Sequence, residues 1–253
     1  MAVKVREIIV KSVLTKSRIP TVPYAVNPYT GCEHDCLYCY ATFMKRFTGH
    51  SEQWGRFVDV KINAPEILDG QLQRAKKDTI MFSSVCDPYQ PLEKKYMLTR
   101  KCLEVALKHG FPVDILTKSD LVLRDLDLLK KFKEVSVGWS ITTDNEKIKA
   151  IFEPGSPSIE ARINAAKAFH DAGIETYAFI GPILPMAPVK LANELVGNVD
   201  HVLIDKMNYS YKVSALYKKH GLEACLQDEY FEMVRDKIKS ILVKAGIGVN
   251  EIF

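Results

Sequence analysis

Residues 27–40 read NPYTGCEHDCLYCY and place Cys32, Cys36 and Cys39 in a C-x3-C-x2-C spacing, with Tyr38 directly before the third cysteine. Three thiols this close on one short loop can turn inward around a single inorganic centre. A structural zinc site takes four ligands, and its C-x2-C knuckles come in pairs. Here the remaining cysteines, Cys86, Cys102 and Cys225, stand singly, and His34 is too close to its loop neighbours to complete a tetrahedron comfortably. An iron–sulfur cube is saturated by four thiolates, so a cube held by three keeps one iron open to an outside ligand. The thiol count favours the cube.

An aromatic residue before the third cysteine of this spacing resembles the signature of the radical S-adenosylmethionine (SAM) enzymes. The resemblance implies a [4Fe-4S] cluster on Cys32, Cys36 and Cys39, whose open iron is chelated by the amino and carboxylate groups of SAM. It implies reductive cleavage of SAM to methionine and a 5′-deoxyadenosyl radical, which abstracts hydrogen from substrate. Tyr38 would lie beside the adenine, and a reductant such as flavodoxin or ferredoxin would supply the electron.

On either side of this loop the chain alternates between short apolar runs and helical patterns. Strands are expected at 22–31, 79–84, 111–118, 134–143, 174–185 and 199–207. Helices are expected at about 64–76, 94–109, 121–132, 159–173 and 188–197, with a short one after 143 and two more near 212–220 and 228–245. Asn63 and Pro65 mark one helix start, and Gly110 and Gly173 mark two helix ends. Alternation at this spacing gives parallel βαβ units. The expected fold is therefore α/β, a partial (β/α)6 TIM-type barrel with C-terminal helices, and the resemblance implies the same. Residues 1–20, with five Lys or Arg, read as an N-terminal arm or edge segment, and 21–253 as the barrel domain.

Composition bounds the function class. The chain has 253 residues, 47% of them hydrophobic and 26% charged, as in ordinary globular proteins. No apolar run approaches the roughly 18 residues of a membrane span, and the first residues lack the apolar stretch of a secretory signal. Six cysteines with three in one loop suit a reducing compartment. A cytoplasmic location with no membrane partner is expected. The net charge of +4 neither requires nor excludes nucleic acid.

In barrels of this kind chemistry sits at the C-terminal ends of the strands. Those ends supply the cysteines, then Ser83–Asp87, then Thr117–Ser119, then Ser140, Thr142 and Thr143, with Glu153 and Arg162 beyond. Small hydroxyls with a lysine and an arginine form what a bound zwitterion needs around its carboxylate and ribose.

NPYTGC at the cluster, DPYQPLE (87–93), ILTKS (115–119) and SITT (140–143) followed by EPGSPS (153–158) and Arg162 resemble the spore photoproduct lyase-related, "DNA repair photolyase"-like branch of that superfamily. The resemblance covers nearly the whole chain. It implies Lys118 and Ser140 near the SAM carboxylate, Ser84 facing the methionine amino group, and Arg162 as a further carboxylate candidate. Tyr40 matches a tyrosine of hydrogen-atom relay, and Cys86, one residue before Asp87–Pro88, is the candidate hydrogen-donating thiol. It further implies a lesion or base in nucleic acid as substrate, as in DNA repair, and a lyase- or transferase-type reaction.

Each of these residues also has a plain reading. Cys86 suits a small buried hydrophobe, Arg162 a salt-bridged helix face, and Tyr40 a shield between cluster and water. The Lys-rich stretches 76–79, 130–133 and 217–220 read as solvated helix faces. Two other functions stay open: radical modification of a peptide or small molecule, and a non-catalytic iron–sulfur or zinc protein.

Overall fold

Short apolar runs become strands here: Ile80–Phe82 is buried at every position, as a strand covered on both faces is, whereas Val113–Thr117 alternates buried with half-buried residues. The computed structural model describes residues 3–19 and 22–252. The chain divides into two compact units, Met1–Asp35 with Ala41–Val137, and Cys36–Tyr40 with Gly138–Phe253.

In the first unit the order is β1 (Lys4–Ile8), β2 (Leu14–Ile19), β3 (Val22–Val26), β4 (Tyr29–Thr30), β5 (Phe57–Lys61), α1 (Ala64–Leu72), β6 (Ile80–Phe82), α2 (Glu93–Tyr96), α3 (Leu98–His109), β7 (Val113–Thr117) and α4 (Leu126–Leu129). A 3-10 helix, Tyr40–Phe47, precedes β5, and another, Asp120–Asp125, precedes α4. The strands β2-β3-β6-β7 run side by side in that order. Of these, β3, β6 and β7 are parallel, with Tyr24 opposite Ile80 and Ile80 opposite Val113, while β2 is antiparallel to β3. A smaller sheet has the order β1-β5-β4. The first nineteen residues thus include two paired strands, β1 against β5 and β2 against β3.

Three departures from the sequence pattern have local causes. The strand expected over 22–31 breaks at Asn27–Pro28, where proline has no N–H for the ladder, and Tyr29–Thr30 joins the smaller sheet instead. The helix expected over 94–109 is split by Met97, at φ 53. It restarts on the buried Glu93 carboxylate, which accepts the amides of Thr99 at 3.0 Å and Arg100 at 3.3 Å and so caps α3. Strand β5 hides from a pattern search because its buried Asp59 interrupts the apolar run. That carboxylate is satisfied by Arg6 at 2.8 Å and His50 at 2.9 Å.

In the second unit come β8 (Val135–Ser140, within which the division falls), α5 (Glu146–Phe152), α6 (Ile159–Asp171), β9 (Glu175–Ile180), α7 (Pro188–Leu195), β10 (His201–Ile204), α8 (Ser214–Lys219), α9 (Asp228–Lys244) and β11 (Gly248–Glu251). Here the strand order is β8-β9-β10-β11, and β9, β10 and β11 are parallel. Asn145 caps α5 by accepting from Lys147 N at 2.9 Å, and Ser158 caps α6 by accepting from Ala161 N at 3.1 Å. Gly138 lies against the Tyr177 ring, where an added Cβ would sit 2.2 Å from ring carbons.

The chain is mixed α/β, its largely parallel strands following in sequence order without closing on themselves, as a partial TIM-type barrel requires. Helices α8 and α9 are the expected C-terminal helices. No helix among the described residues is long and apolar enough to cross a membrane.

Candidate cofactor site

In the first unit, β3 delivers Asn27 and then the front half of the cysteine loop. Gly31 adopts φ +95, and a Cβ there would lie 2.2 Å from the carbonyl oxygen of Phe57. Only glycine brings the chain this close to β5 immediately before Cys32. Cys32 itself is buried.

The DPYQPLE segment braces this half-loop residue by residue. Asp87 Oδ2 lies 3.3 Å from His34 Nδ1 and accepts the Lys118 amide at 2.8 Å, while Oδ1 accepts the Thr117 hydroxyl at 2.6 Å. Gln90 donates to the Gly31 carbonyl at 3.2 Å and accepts the Glu33 amide at 3.1 Å. The Leu92 amide donates to the Glu33 carboxylate at 2.7 Å, and the Tyr29 hydroxyl donates to Glu93. Burial opposes charge on Asp87, but His34, Thr117 and the Lys118 amide outweigh it and hold the carboxyl down at about 2. Asp87 is therefore an ionised, buried anchor joining the ends of β6 and β7 to the loop.

Around it lie three of the residues singled out from sequence. The Ser84 hydroxyl accepts Asn27 Nδ2 at 3.3 Å, and Asn27 Oδ1 accepts the Val85 amide at 3.0 Å. Lys118 is half-buried, its amide held by Asp87. The Cys86 thiol donates to the Tyr29 carbonyl at 3.5 Å and packs against Tyr29, Val58, Val60 and Leu98. Burial pushes this thiol up to about 11, so it is a neutral S–H at physiological pH. Ser83, at φ 67, is buried, and its hydroxyl has no hydrogen-bond partner within geometry among the described residues, the Cys86 thiol being its polar neighbour.

In the second unit the rear half of the loop is held by a different carboxylate. The Tyr38 hydroxyl donates to Glu153, whose same oxygen accepts the Thr142 hydroxyl at 2.8 Å. The other Glu153 oxygen takes the Arg162 guanidinium at 2.5 Å and the Ser156 hydroxyl at 3.3 Å. Arg162 is fully buried and also donates to the carbonyls of Ser140 at 2.9 Å and Pro157 at 3.0 Å. Burial works against its charge, and Glu153 more than restores it. Burial and then the Glu153 charge push the Tyr38 phenol well above its ordinary range. Main-chain bonds finish the half-loop: Leu37 N to Phe152 O at 2.9 Å, Cys39 N to Cys36 O at 3.1 Å, and Lys212 Nζ to Cys39 O at 2.8 Å. Tyr40, next after Cys39, stacks on Tyr209 with ring centroids 6.3 Å apart.

The sequence candidates thus fall into two groups, Cys32, Ser84, Cys86 and Lys118 in the first unit, and Cys36, Tyr38, Cys39, Tyr40, Ser140 and Arg162 in the second. Arg162 directs its donors inside the protein. The sequence assigns no role to the two organising acids, although both lie in the strand-end set and each precedes a proline, Asp87–Pro88 and Glu153–Pro154, in the motifs DPYQPLE and EPGSPS.

The residues suit the group their spacing implies. Three thiols with no fourth leave a cube one open iron. The buried Ser83 hydroxyl, beside Ser84, is a polar group that a ligand could contact. Among the described residues, no three His, Cys, Asp or Glu side chains converge at single-ion distances.

The chain is similar to several known proteins. An uncharacterized protein of Methanocaldococcus jannaschii is 42% identical over 72% of this chain and 69% of its own length. A radical SAM Nalpha-GlyT isomerase of Pseudomonas phage M6 is 26% identical over 78% of this chain and 43% of its own. Among solved structures, spore photoproduct lyase complexed with dinucleoside spore photoproduct matches with a TM-score of 0.69 and 17% identity, over 98% of this chain and 82% of that one. A mutant of that lyase, solved with bound AdoMet and the same dinucleoside, matches with a TM-score of 0.66 and 16% identity, over 97% and 81%. At such identities the likeness is one of fold. The Radical SAM superfamily model matches residues 26–187, from the last residue of β3 to the start of α7, and by that match the chain belongs to the radical SAM superfamily.

Proposed function

We propose that the chain is a radical SAM enzyme acting on a nucleic-acid lesion or base. The observation that supports this best is the bracing of each half of the cysteine loop within its own unit, the front half by buried Asp87 and the rear half by buried Glu153. A half-loop fixed by a long-range buried carboxylate is pre-organised, and pre-organisation is what a reactive centre needs.

Cys32, Cys36 and Cys39 would hold the [4Fe-4S] cluster. With SAM bound, that cluster supplies reductive cleavage to a 5′-deoxyadenosyl radical. The chain's own residues then orient and shield. Ser83, Ser84 and Lys118, on loops joined through Asn27 and Asp87, are suited to the amino and carboxylate groups of SAM. Ser140 is a further carboxylate contact, positioned by Arg162 through its carbonyl. Arg162 acts at one remove, fixing Glu153 and thereby Tyr38, whose ring would line the adenine. Tyr40 and the neutral thiol of Cys86 are the candidates for passing or returning a hydrogen atom. Flavodoxin or ferredoxin would be the reductant, and the cytoplasm the compartment. The nucleic-acid substrate is inferred from the resemblance to spore photoproduct lyase.

The test is anaerobic reconstitution with iron and sulfide, then dithionite and SAM, following 5′-deoxyadenosine by chromatography with a Cys36→Ala control. Deoxyadenosine from the native chain alone supports the reading, and damaged DNA is then the first substrate to try. A bound zinc, no cluster and no deoxyadenosine would refute it.

A further inference from the structure

Within the second unit, residues 206–220 read KMNYSYKVSALYKKH, with four lysines, three tyrosines and no Asp or Glu. Read alone, its end resembles a solvated helix face. Its tertiary placement gives it another character. Lys212 Nζ donates to the Cys39 carbonyl at 2.8 Å, which ties the segment to the cysteine loop. Tyr209 lies near-parallel to Tyr40, at 19° between ring planes, and Tyr211 meets Tyr209 edge-on at 6.3 Å between centroids. All three rings are solvent-exposed, Tyr40 at 45%, Tyr209 at 41% and Tyr211 at 73%.

Large aromatic side chains are usually withdrawn from water, and this chain shows the contrast, since Tyr217 in the same segment is fully buried. Core packing does not account for three adjacent exposed rings. Lys212 lies over the Tyr209 ring at 5.8 Å, and Lys218, Lys219 and His220 are exposed beyond it. Two acids outside the segment touch its start: Asp228 pairs with Lys206 at 3.0 Å, and the Asp205 carboxylate, directly before Lys206, accepts Asn208 Nδ2 at 2.9 Å. Exposed aromatic faces interleaved with cations are how unpaired bases and their backbone are held together, by stacking and by phosphate attraction.

We infer that Tyr40, Tyr209 and Tyr211, with the basic segment behind them, form a stacking platform for unpaired bases of a single-stranded or locally opened nucleic acid. This deepens the proposed function, on which it rests, by assigning the substrate class to named residues. A peptide would find the same rings, but Lys212, Lys218 and Lys219, with no Asp or Glu between them in the chain, favour a polyanion.

The test is fluorescence anisotropy of the reconstituted protein with a fluorescein-labelled 12-nucleotide oligo-dT, beside a duplex of the same length and a neutral aromatic peptide. The native chain is expected to bind the single strand more tightly than the duplex. That affinity should fall on the order of tenfold between 50 and 200 mM salt. Tyr209→Ala and Tyr211→Ala should each weaken binding by roughly 5- to 100-fold, as expected for one lost base stack, whereas Tyr209→Trp should retain it. Tyr211 is so exposed that its variant isolates stacking from folding, and Lys218→Glu with Lys219→Glu should flatten the salt dependence. Equal affinity for single strand and duplex, alanine variants as tight as the native chain, or binding of the peptide alone would overturn the inference. Because this binding needs no SAM cleavage, its failure is distinguishable from absence of 5′-deoxyadenosine, which would sink the underlying reading instead.

Discussion

The hydroxyl of Tyr38, in the cysteine loop, donates to the carboxylate of Glu153, a residue 115 positions later in the chain. Glu153 in turn holds Arg162, and neither side chain is exposed to solvent. Both charges have left water, so each depends on the other and on the hydroxyls of Thr142 and Ser156.

Removing one member of that pair should therefore be costly. Arg162→Met leaves the Glu153 carboxylate buried without its cation, and urea unfolding should show a loss of about 3–5 kcal/mol. The double variant Glu153→Gln with Arg162→Met should lose less than the two single changes added together, because no uncompensated charge remains. Simple addition would show that the pair is not coupled.

Asp87 makes a prediction about acid. Its folded-state value of about 2 lies below the ordinary 3.8, so its contribution to stability is present above pH 3.8 and is lost as the pH falls towards 2. The size is roughly 2 kcal/mol. Chemical unfolding measured from pH 5 to pH 2 should be shallower for Asp87→Asn than for the native chain. A variant with the same acid dependence would show that another carboxylate carries it.

Gly31→Ala tests the approach of the loop to β5. The added Cβ would meet a backbone oxygen, which cannot swing aside as a side chain can, and the left-handed φ adds strain. A loss of about 2–4 kcal/mol in unfolding experiments is expected, together with poor iron and sulfide uptake on reconstitution. Gly49→Ala is the control for φ alone, since nothing lies within 4 Å of where its Cβ would sit. It should cost less.

The Cys86 thiol should be slow to alkylate. Only the thiolate attacks iodoacetamide, and burial holds this thiol neutral until about pH 11. Peptide mass spectrometry of the native chain should find Cys86 largely unmodified at pH 8, with labelling rising steeply towards pH 11. Rapid labelling at pH 8 would mean a thiolate, a species with no S–H to give in hydrogen transfer.

The α/β class, the six expected strands and the cysteine loop could be read from sequence because each is written locally. Strand and helix periods repeat within a few residues, and C-x3-C-x2-C is a spacing on one loop. The motifs DPYQPLE and EPGSPS were also visible, but what they do was not. A buried carboxylate has the same letter as a solvated one, and only folding shows that Asp87 meets His34 and Thr117, or that Glu153 meets Tyr38 and Arg162. The same holds for β5, hidden by its buried Asp59, and for the helix break at Met97, where Glu93 caps α3 from below. Arg162 read equally as a ligand or a helix-face ion pair, and its burial turned it inward. Tyr40 and Tyr209 are far apart in the chain and become neighbours through the tie from Lys212 to Cys39. Sequence alone determined the architecture and the thiol set, through short-range periodicity and spacing. Tertiary structure decided which polar groups offset one another's burial, since those partnerships join distant segments and leave no local pattern.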